Sequence, residues 1–365
     1  MVSFPAEELT TEDTEVAEKN LTEEVGNMNI DRLTHIRKNR DTALELFTNI
    51  PRTRLINLNT PIERLDRLRH SIPGAPQLWI KRDDLTGYLG GGNKLRKLEY
   101  VMADAFAQGA TTILTTGSIT SNLARTTALV ARRFGLKCEL ILSGGDPEAA
   151  RANWRIAEQL DVKLHRVESS GERASRMQEV ARELEERGER VYQIPLGASN
   201  EIGSFGMVAA FEELGIQQLE LGLQFDAIVF ATSSGGTQAG LEVGKRLFNY
   251  RDLRLLGISA DDPFDVIKEN VFKAVGPMLS MLGKSEAPAW GELYVDDGFV
   301  GEGYAVPTRE SREAARLFAE TEGILLDPVY TSKAAAGLIA YCRERRFKET
   351  DRVLFWHTGG VLTLL

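Results

Sequence analysis

At 365 residues the chain is too long for one small core, and 42% hydrophobic with 27% charged residues describes a globular protein with enough apolar material for two or three domains. A net charge of −9 without any long Lys/Arg run excludes general attraction to phosphate backbones, so nucleic acid is not an expected partner. No apolar run reaches the roughly 18 residues of a membrane span, and the first 24 residues carry eight acidic side chains against one Lys, so a cytoplasmic protein is expected.

Residues 1–45 begin as an acidic, Thr-rich leader and end in "NMNIDRLTHIRKNRDTALELF", whose weak helical spacing suggests a peripheral helix without chemistry. "TRLINLNTPIERLDRL" and "QLWIKRDDL" read as extended or strand segments. A βα alternation then sets in. "KLRKLEYVMADAFAQG" has helical spacing and a Gly stop, "ATTILTTG" is strand-like, "SNLARTTALVARRFG" is helical, and "LKCELILSG" is a strand again. "NWRIAEQLDVKLHRV" and "RASRMQEVARELEERGERVYQIP" continue it. A second set runs through "FDAIVFATSSGGTQAGLEVGKRLF" and "LRLLGISAD" and closes with "RVLFWHTGGVLTLL". This alternation predicts an α/β protein with parallel-rich twisted sheets and helices on both faces. Cys138 and Cys342 sit in apolar segments and read as buried free thiols. His35, His70, His165 and His357 are scattered, and no metal centre is expected.

Ligands of open α/β sheets lie outside the carboxyl ends of the strands, and three loops there have unusual composition. In "SSGGTQAG", residues 233–240, Gly235 and Gly236 let backbone N–H groups approach an anion, while Ser234 and Thr237 add hydroxyls at a helix start. The same composition also suits a tight turn alone. "TTGSITSNLART", residues 115–126, offers Ser118, Thr120, Ser121 and Asn122 at another helix entrance, where an N-cap is the simpler explanation. In "TGYLGGGNKLRKLEY" Lys94 follows three glycines and Asn93. Gly87 and Gly92 have P-loop spacing, but Asn93 intervenes and Leu95 replaces the magnesium-holding hydroxyl, so an NTPase fits poorly. A lysine at a helix start meets the positive end of the helix dipole, which with desolvation lowers its pKa and suits a nucleophile or base; a plain surface lysine is the alternative. A reactive amine, a phosphate cup and a hydroxyl/amide loop together fit a phosphorylated aldehyde bound as an imine, which is pyridoxal phosphate.

"KRDDLTG", "GGNKLRKLEY", "SNLART", "GGTQAG", "DPVYTSKAAAGLI" and "HTGG" occur in an order and spacing that resembles the D-cysteine desulfhydrase and 1-aminocyclopropane-1-carboxylate deaminase family over about residues 48–365. These are pyridoxal-phosphate enzymes of fold type II, the tryptophan-synthase-β type. The resemblance implies that Lys94 binds the cofactor covalently, with Asn93 beside it, and that Asn122 hydrogen-bonds the cofactor's ring hydroxyl. It implies further that Ser234, Gly235, Gly236 and Thr237 hold the phosphate and that Thr331 meets the pyridine nitrogen. Ser121 would face the substrate, with Tyr304 and Tyr330 as active-site tyrosines. The deaminase branch carries Glu at the position of Thr331, so the neutral Thr331 favours α,β-elimination on a small β-substituted amino acid. Pyruvate, ammonia and a leaving group such as sulfide would result. Thr120 and Leu123 replace two polar residues usual in the family, and they alter the wall that recognises substrate.

A D-cysteine desulfhydrase-like lyase is therefore expected, with an aminocyclopropane-carboxylate deaminase or a β-replacement enzyme as the alternative activity and a regulatory cofactor-binding protein as the non-enzyme alternative. The resemblance implies a homodimer. It also implies a large cofactor-binding domain of residues 46–96 plus 207–365 and a small mobile domain of residues 97–206.

Overall fold

The computed structural model describes residues 45–364 except 57–58, 88–89 and 145–150. The expected leader and peripheral helix lie, but for residue 45, outside the described residues.

Ten strands and ten helices of the described residues alternate along the chain. In order they are β1 (Ile62–Arg64), α1 (Asp66–His70), β2 (Gln77–Arg82), α2 (Gly92–Ala107), β3 (Thr112–Ser118), α3 (Asn122–Arg133), β4 (Lys137–Ser143), α4 (Arg151–Gln159), β5 (Lys163–Val167), α5 (Arg173–Glu186) and β6 (Val191–Ile194). Then follow α6 (Glu201–Leu221), β7 (Ala227–Thr232), α7 (Gly236–Leu247), β8 (Arg254–Ser259), α8 (Phe264–Met281), β9 (Tyr294–Asp296), α9 (Arg309–Glu322), α10 (Thr331–Arg343) and β10 (Arg352–His357).

The strands form two sheets, β1-β2-β10-β7-β8-β9 and β5-β4-β3-β6. Among the described residues only the β1–β2 pair is antiparallel. β7 is buried at every position, and so is β10 apart from Arg352, as strands covered by helices on both faces require.

α6 separates the two sheets and is buried on nearly all sides. Asn200 caps its start by accepting the Gly203 N–H at 3.0 Å, and Gly222 ends it in the left-handed region at φ 66°. A Cβ on Gly206 would strike the backbone of Arg96 and Lys97, so this glycine permits α2 to cross α6 at backbone distance. The domain limits expected at 96/97 and 206/207 fall inside α2 and α6. Leu95, Leu98, Val101 and Met102 of α2 pack with the four-stranded sheet, whereas Phe205, Met207 and Phe211 of α6 pack with the six-stranded one.

Beneath α2 lies a buried network of two cations and two anions. Arg96 donates to Asp83 at 2.7 and 2.8 Å and to Glu213 at 2.8 Å, Lys81 pairs with Glu213, and the Trp356 indole N–H donates to Asp83 at 2.8 Å. Balanced charge and hydrogen bonds to every ion make such a cluster tolerable in a core. It fixes α2 to β2, β10 and α6 at once.

Both cysteines are buried and free, and burial pushes each thiol up to about 12, which leaves them inert. Among the described residues no helix is long and apolar enough to cross a membrane.

Candidate active site

A cleft of about 970 Å³ opens between the two sheets, at the carboxyl ends of β3, β7, β8 and β10. Its lining includes Lys94, Ser121, Asn122, Leu123, Ser234, Gly235, Thr237, Tyr304 and Tyr330, so the three loops singled out in the sequence converge here.

Lys94 is the third residue of α2. Gly92 before it has φ 57°, and a Cβ there would collide with the Thr358 carbonyl oxygen, so only glycine lets this turn press against the chain leaving β10. The Asn93 N–H donates to that same oxygen at 3.0 Å. Lys94 is partly buried, and its Nζ has no hydrogen-bond acceptor among the described residues. Desolvation lowers its pKa to about 8, partly offset by the field of Asp261.

The second loop runs into α7. Gly235 is left-handed at φ 82°, and its Cβ would lie 2.9 Å from the Val271 nitrogen. The Asn93 amide donates to Thr237 Oγ1 at 2.9 Å, which ties the lysine's turn to the anion loop. Ser234 and Ser199 hydroxyls are 2.7 Å apart. Lys97, which the sequence reading passed over, is fully buried behind this loop and donates to the Gly197 carbonyl at 3.0 Å and Ser199 Oγ at 3.2 Å. A Cβ on Gly236 would lie 2.7 Å from Lys97 Nζ. Desolvation, with the neighbouring Lys94 adding to it, lowers the Lys97 pKa well below the usual lysine range, the response of a buried cation with no counter-ion among the described residues. Its signal in the sequence was only its place one helical turn beyond Lys94.

The third loop starts α3. Ser121 Oγ accepts the Ala124 N–H at 3.2 Å, so the cap explanation holds for it while its own proton stays available toward the cleft. Asn122 is 9% exposed and its buried Oδ1 has no partner. Leu123 is buried against the cleft. Thr120 is not a lining residue but joins a hydroxyl chain: Ser118 Oγ lies 2.9 Å from Thr120 Oγ1 and 3.0 Å from Tyr304 OH, and Tyr304 OH lies 2.8 Å from Tyr330 OH. Burial, the first cause, raises the Tyr330 pKa well above the ordinary phenol value, and Tyr304 adds to it.

The structure does not bring Thr331 to the cleft. It is fully buried, its hydroxyl donates to Asp327 Oδ1 at 2.6 Å, and Thr331 Oγ1 in turn accepts from the Asp327 N–H at 2.9 Å. Asp327 also accepts the N–H groups of Val329, Tyr330 and Thr331, so Thr331 belongs to the turn that starts α10. Thr358, the residue after β10, does line the cleft. Arg173 lines it too, with Nε buried and without a partner, and so does Asp261, which accepts from Ser233 Oγ at 2.6 Å.

A free amine, an orphaned buried amide and a glycine-walled cup backed by the buried Lys97 fit the aldehyde, ring hydroxyl and phosphate of pyridoxal phosphate, and the site is that of an enzyme built around this cofactor. The family model described as "Pyridoxal-phosphate dependent enzyme" matches residues 53–359, and the chain belongs to that family. The D-cysteine desulfhydrase of Klebsiella pneumoniae (strain 342) is 36% identical over 88% of this chain and 98% of that enzyme. The crystal structure of an ACC deaminase homologue matches with a TM-score of 0.81 and 34% identity over 88% of this chain and 96% of the other. A pyridoxal 5'-phosphate-dependent aspartate racemase shares the fold, with a TM-score of 0.62 at 16% identity over 88% of this chain and 94% of the other. Within its family the protein thus stands with the D-cysteine desulfhydrases and 1-aminocyclopropane-1-carboxylate deaminases, and it is a pyridoxal-phosphate-dependent lyase of fold type II.

Proposed function

We propose that the protein catalyses α,β-elimination on a small β-substituted amino acid, releasing pyruvate, ammonia and the β-substituent, as a D-cysteine desulfhydrase-like enzyme. The observation that carries this is the Lys94 amine in a cleft that also holds the Tyr304–Tyr330 hydroxyl pair.

Lys94 would hold pyridoxal phosphate through Nζ, Asn122 would meet its ring hydroxyl, and Ser234, Gly235, Gly236 and Thr237 would hold its phosphate with Lys97 behind them. Asn93 would keep the lysine's turn in register with that loop. Thr358 takes the place expected of Thr331 at the pyridine nitrogen, and the preference for a neutral partner is kept. When bound, the cofactor supplies the electron sink for charge developing at the substrate's Cα. Lys94 then takes the Cα proton, which requires the neutral amine that burial favours. Ser121 and the N–H groups at the start of α3 receive the substrate carboxylate, since a helix N-terminus suits an anion. Tyr304, backed by Tyr330 and by Ser118 of the facing sheet, hands a proton to the departing group. Thr120 and Leu123 shape the wall around that group. Closure of the unit carrying β3–β6 toward the six-stranded sheet would exclude water.

Purified enzyme supplied with D-cysteine, L-cysteine or β-chloro-D-alanine should form pyruvate from at least one of them; formation from none rejects the lyase activity on such substrates. Borohydride reduction followed by peptide mass spectrometry should place the reduced cofactor on Lys94, and any other site overturns that assignment. Lys94→Ala should lower turnover by about 10²–10⁴-fold, the range of a lost general base. The family resemblance also implies a homodimer. Sedimentation finding monomer alone at micromolar concentration would reject it.

A further inference from the structure

Lys333, the third residue of α10, is a cation for which the proposed chemistry has no use, yet it is 0% exposed. Its Nζ donates to three backbone carbonyl oxygens, those of Ala260 at 2.9 Å, Val300 at 2.8 Å and Gly303 at 2.7 Å. Among the described residues no carboxylate reaches it at ion-pair distance. Three carbonyl dipoles pointing at one buried point repel each other unless a positive charge sits there, and backbone carbonyls so arranged are how proteins replace the hydration shell of an alkali ion.

The three carbonyls belong to functional segments. Ala260 follows β8 and precedes Asp261, which lines the cleft, while Gly303 precedes Tyr304. The Tyr304 loop is left-handed at Gly301 (φ 68°), Gly303 (φ 136°) and Ala305 (φ 60°), so its conformation needs holding from outside. Lys333 also shares α10 with its N-cap residue Tyr330, whose hydroxyl meets that of Tyr304 at 2.8 Å.

We infer that Lys333 is a built-in substitute for a monovalent metal ion, its ammonium filling a three-carbonyl cage that sets the Tyr304 loop, so that the enzyme needs no added alkali ion. Lys333 is on this view a positioning residue for the Tyr304 hydroxyl. That last clause alone rests on the proton-transfer role proposed above; the cage itself does not.

The test uses cofactor-loaded enzyme in tetramethylammonium buffer with K⁺ or NH4⁺ as the added probe. Lys333→Ala should lose about tenfold or more in kcat with a smaller change in KM, as a misplaced proton-transfer group does. K⁺ or NH4⁺ should recover at least part of that loss and raise the melting temperature of the variant, while leaving wild type unchanged in both. Lys333→Met fills the volume without charge, so it should lose kcat and gain nothing from either ion. Wild-type turnover that rises with K⁺, Lys333→Met at the wild-type rate, or a Lys333→Ala variant indifferent to both ions in rate and melting would each overturn the inference. The melting measurement needs no substrate, so it separates failure of the cage from failure of the lyase reading.

Discussion

At the scale of single residues, a charged Lys94 is costly to the fold. Its pKa falls from 10.5 in the open chain to about 8 in the cleft, so the folded state binds fewer protons than the unfolded one between those values, and stability rises with pH across that window. Below about pH 8 the penalty is fully present. Lys94→Met should therefore stabilise the cofactor-free protein, on the order of 1–3 kcal/mol at pH 7, with the gain fading as pH rises toward the unfolded value. Urea unfolding at pH 7 and near pH 10 checks both size and sign; equal gains at the two pH values would contradict it. Lys97 lies deeper, and Lys97→Met should weaken pyridoxal phosphate retention more than it alters turnover of the loaded enzyme, as a desalting assay would show. Thr331 is the expected site residue whose hydroxyl already has partners within its own turn. Its hydroxyl sits in the right motif, but Asp327, four positions upstream, claims it along with three backbone N–H groups. Local side-chain-to-backbone competition of that kind leaves no mark in a motif.

At the scale of elements, the βα alternation was legible because parallel strands covered on both faces read as unbroken apolar runs, "AIVFAT" and "VLFW" among them. The three loops were legible too, since each combines glycine or hydroxyl residues with a helix start inside a dozen positions. What could not be read was any pairing across elements, such as Ser118 with Tyr304 or Thr358 with Gly92, because nothing local encodes which loops will meet. Where one layer passes into the other has no local mark either, since α2 and α6 each contribute to both. The ion network under α2 carries a prediction. Glu213→Gln leaves Lys81 and Arg96 with a single carboxylate, Asp83, and should cost about 3–5 kcal/mol, as breaking a buried pair does. Urea unfolding would measure it. Gly92→Ala should misplace Lys94 without touching its chemistry, lowering cofactor binding, since the added carbon meets the Thr358 carbonyl and the backbone is left-handed there.

At the scale of the molecule, the hydroxyl chain is a bridge between the two sheets, with Ser118 at the end of β3 and Tyr304 and Tyr330 on segments beside the larger sheet. A bridge couples its ends, so Ser118→Ala and Tyr304→Phe should be non-additive, the double variant losing less than the sum of the two in log kcat/KM. Full additivity would mean that the two hydroxyls act separately.

The strand β10 lies in the middle of the six-stranded sheet, between β2 and β7, and its exit supplies the carbonyl against which the lysine's turn is set. During synthesis the chain emerges from its N-terminal end, so β2 and Lys94 leave the ribosome long before the strand that completes their surroundings. The reactive amine is thus assembled last although it is made early. A nascent chain cannot capture its aldehyde in a finished site, and a chain cut before residue 358 lacks the carbonyl against which the lysine's turn is set.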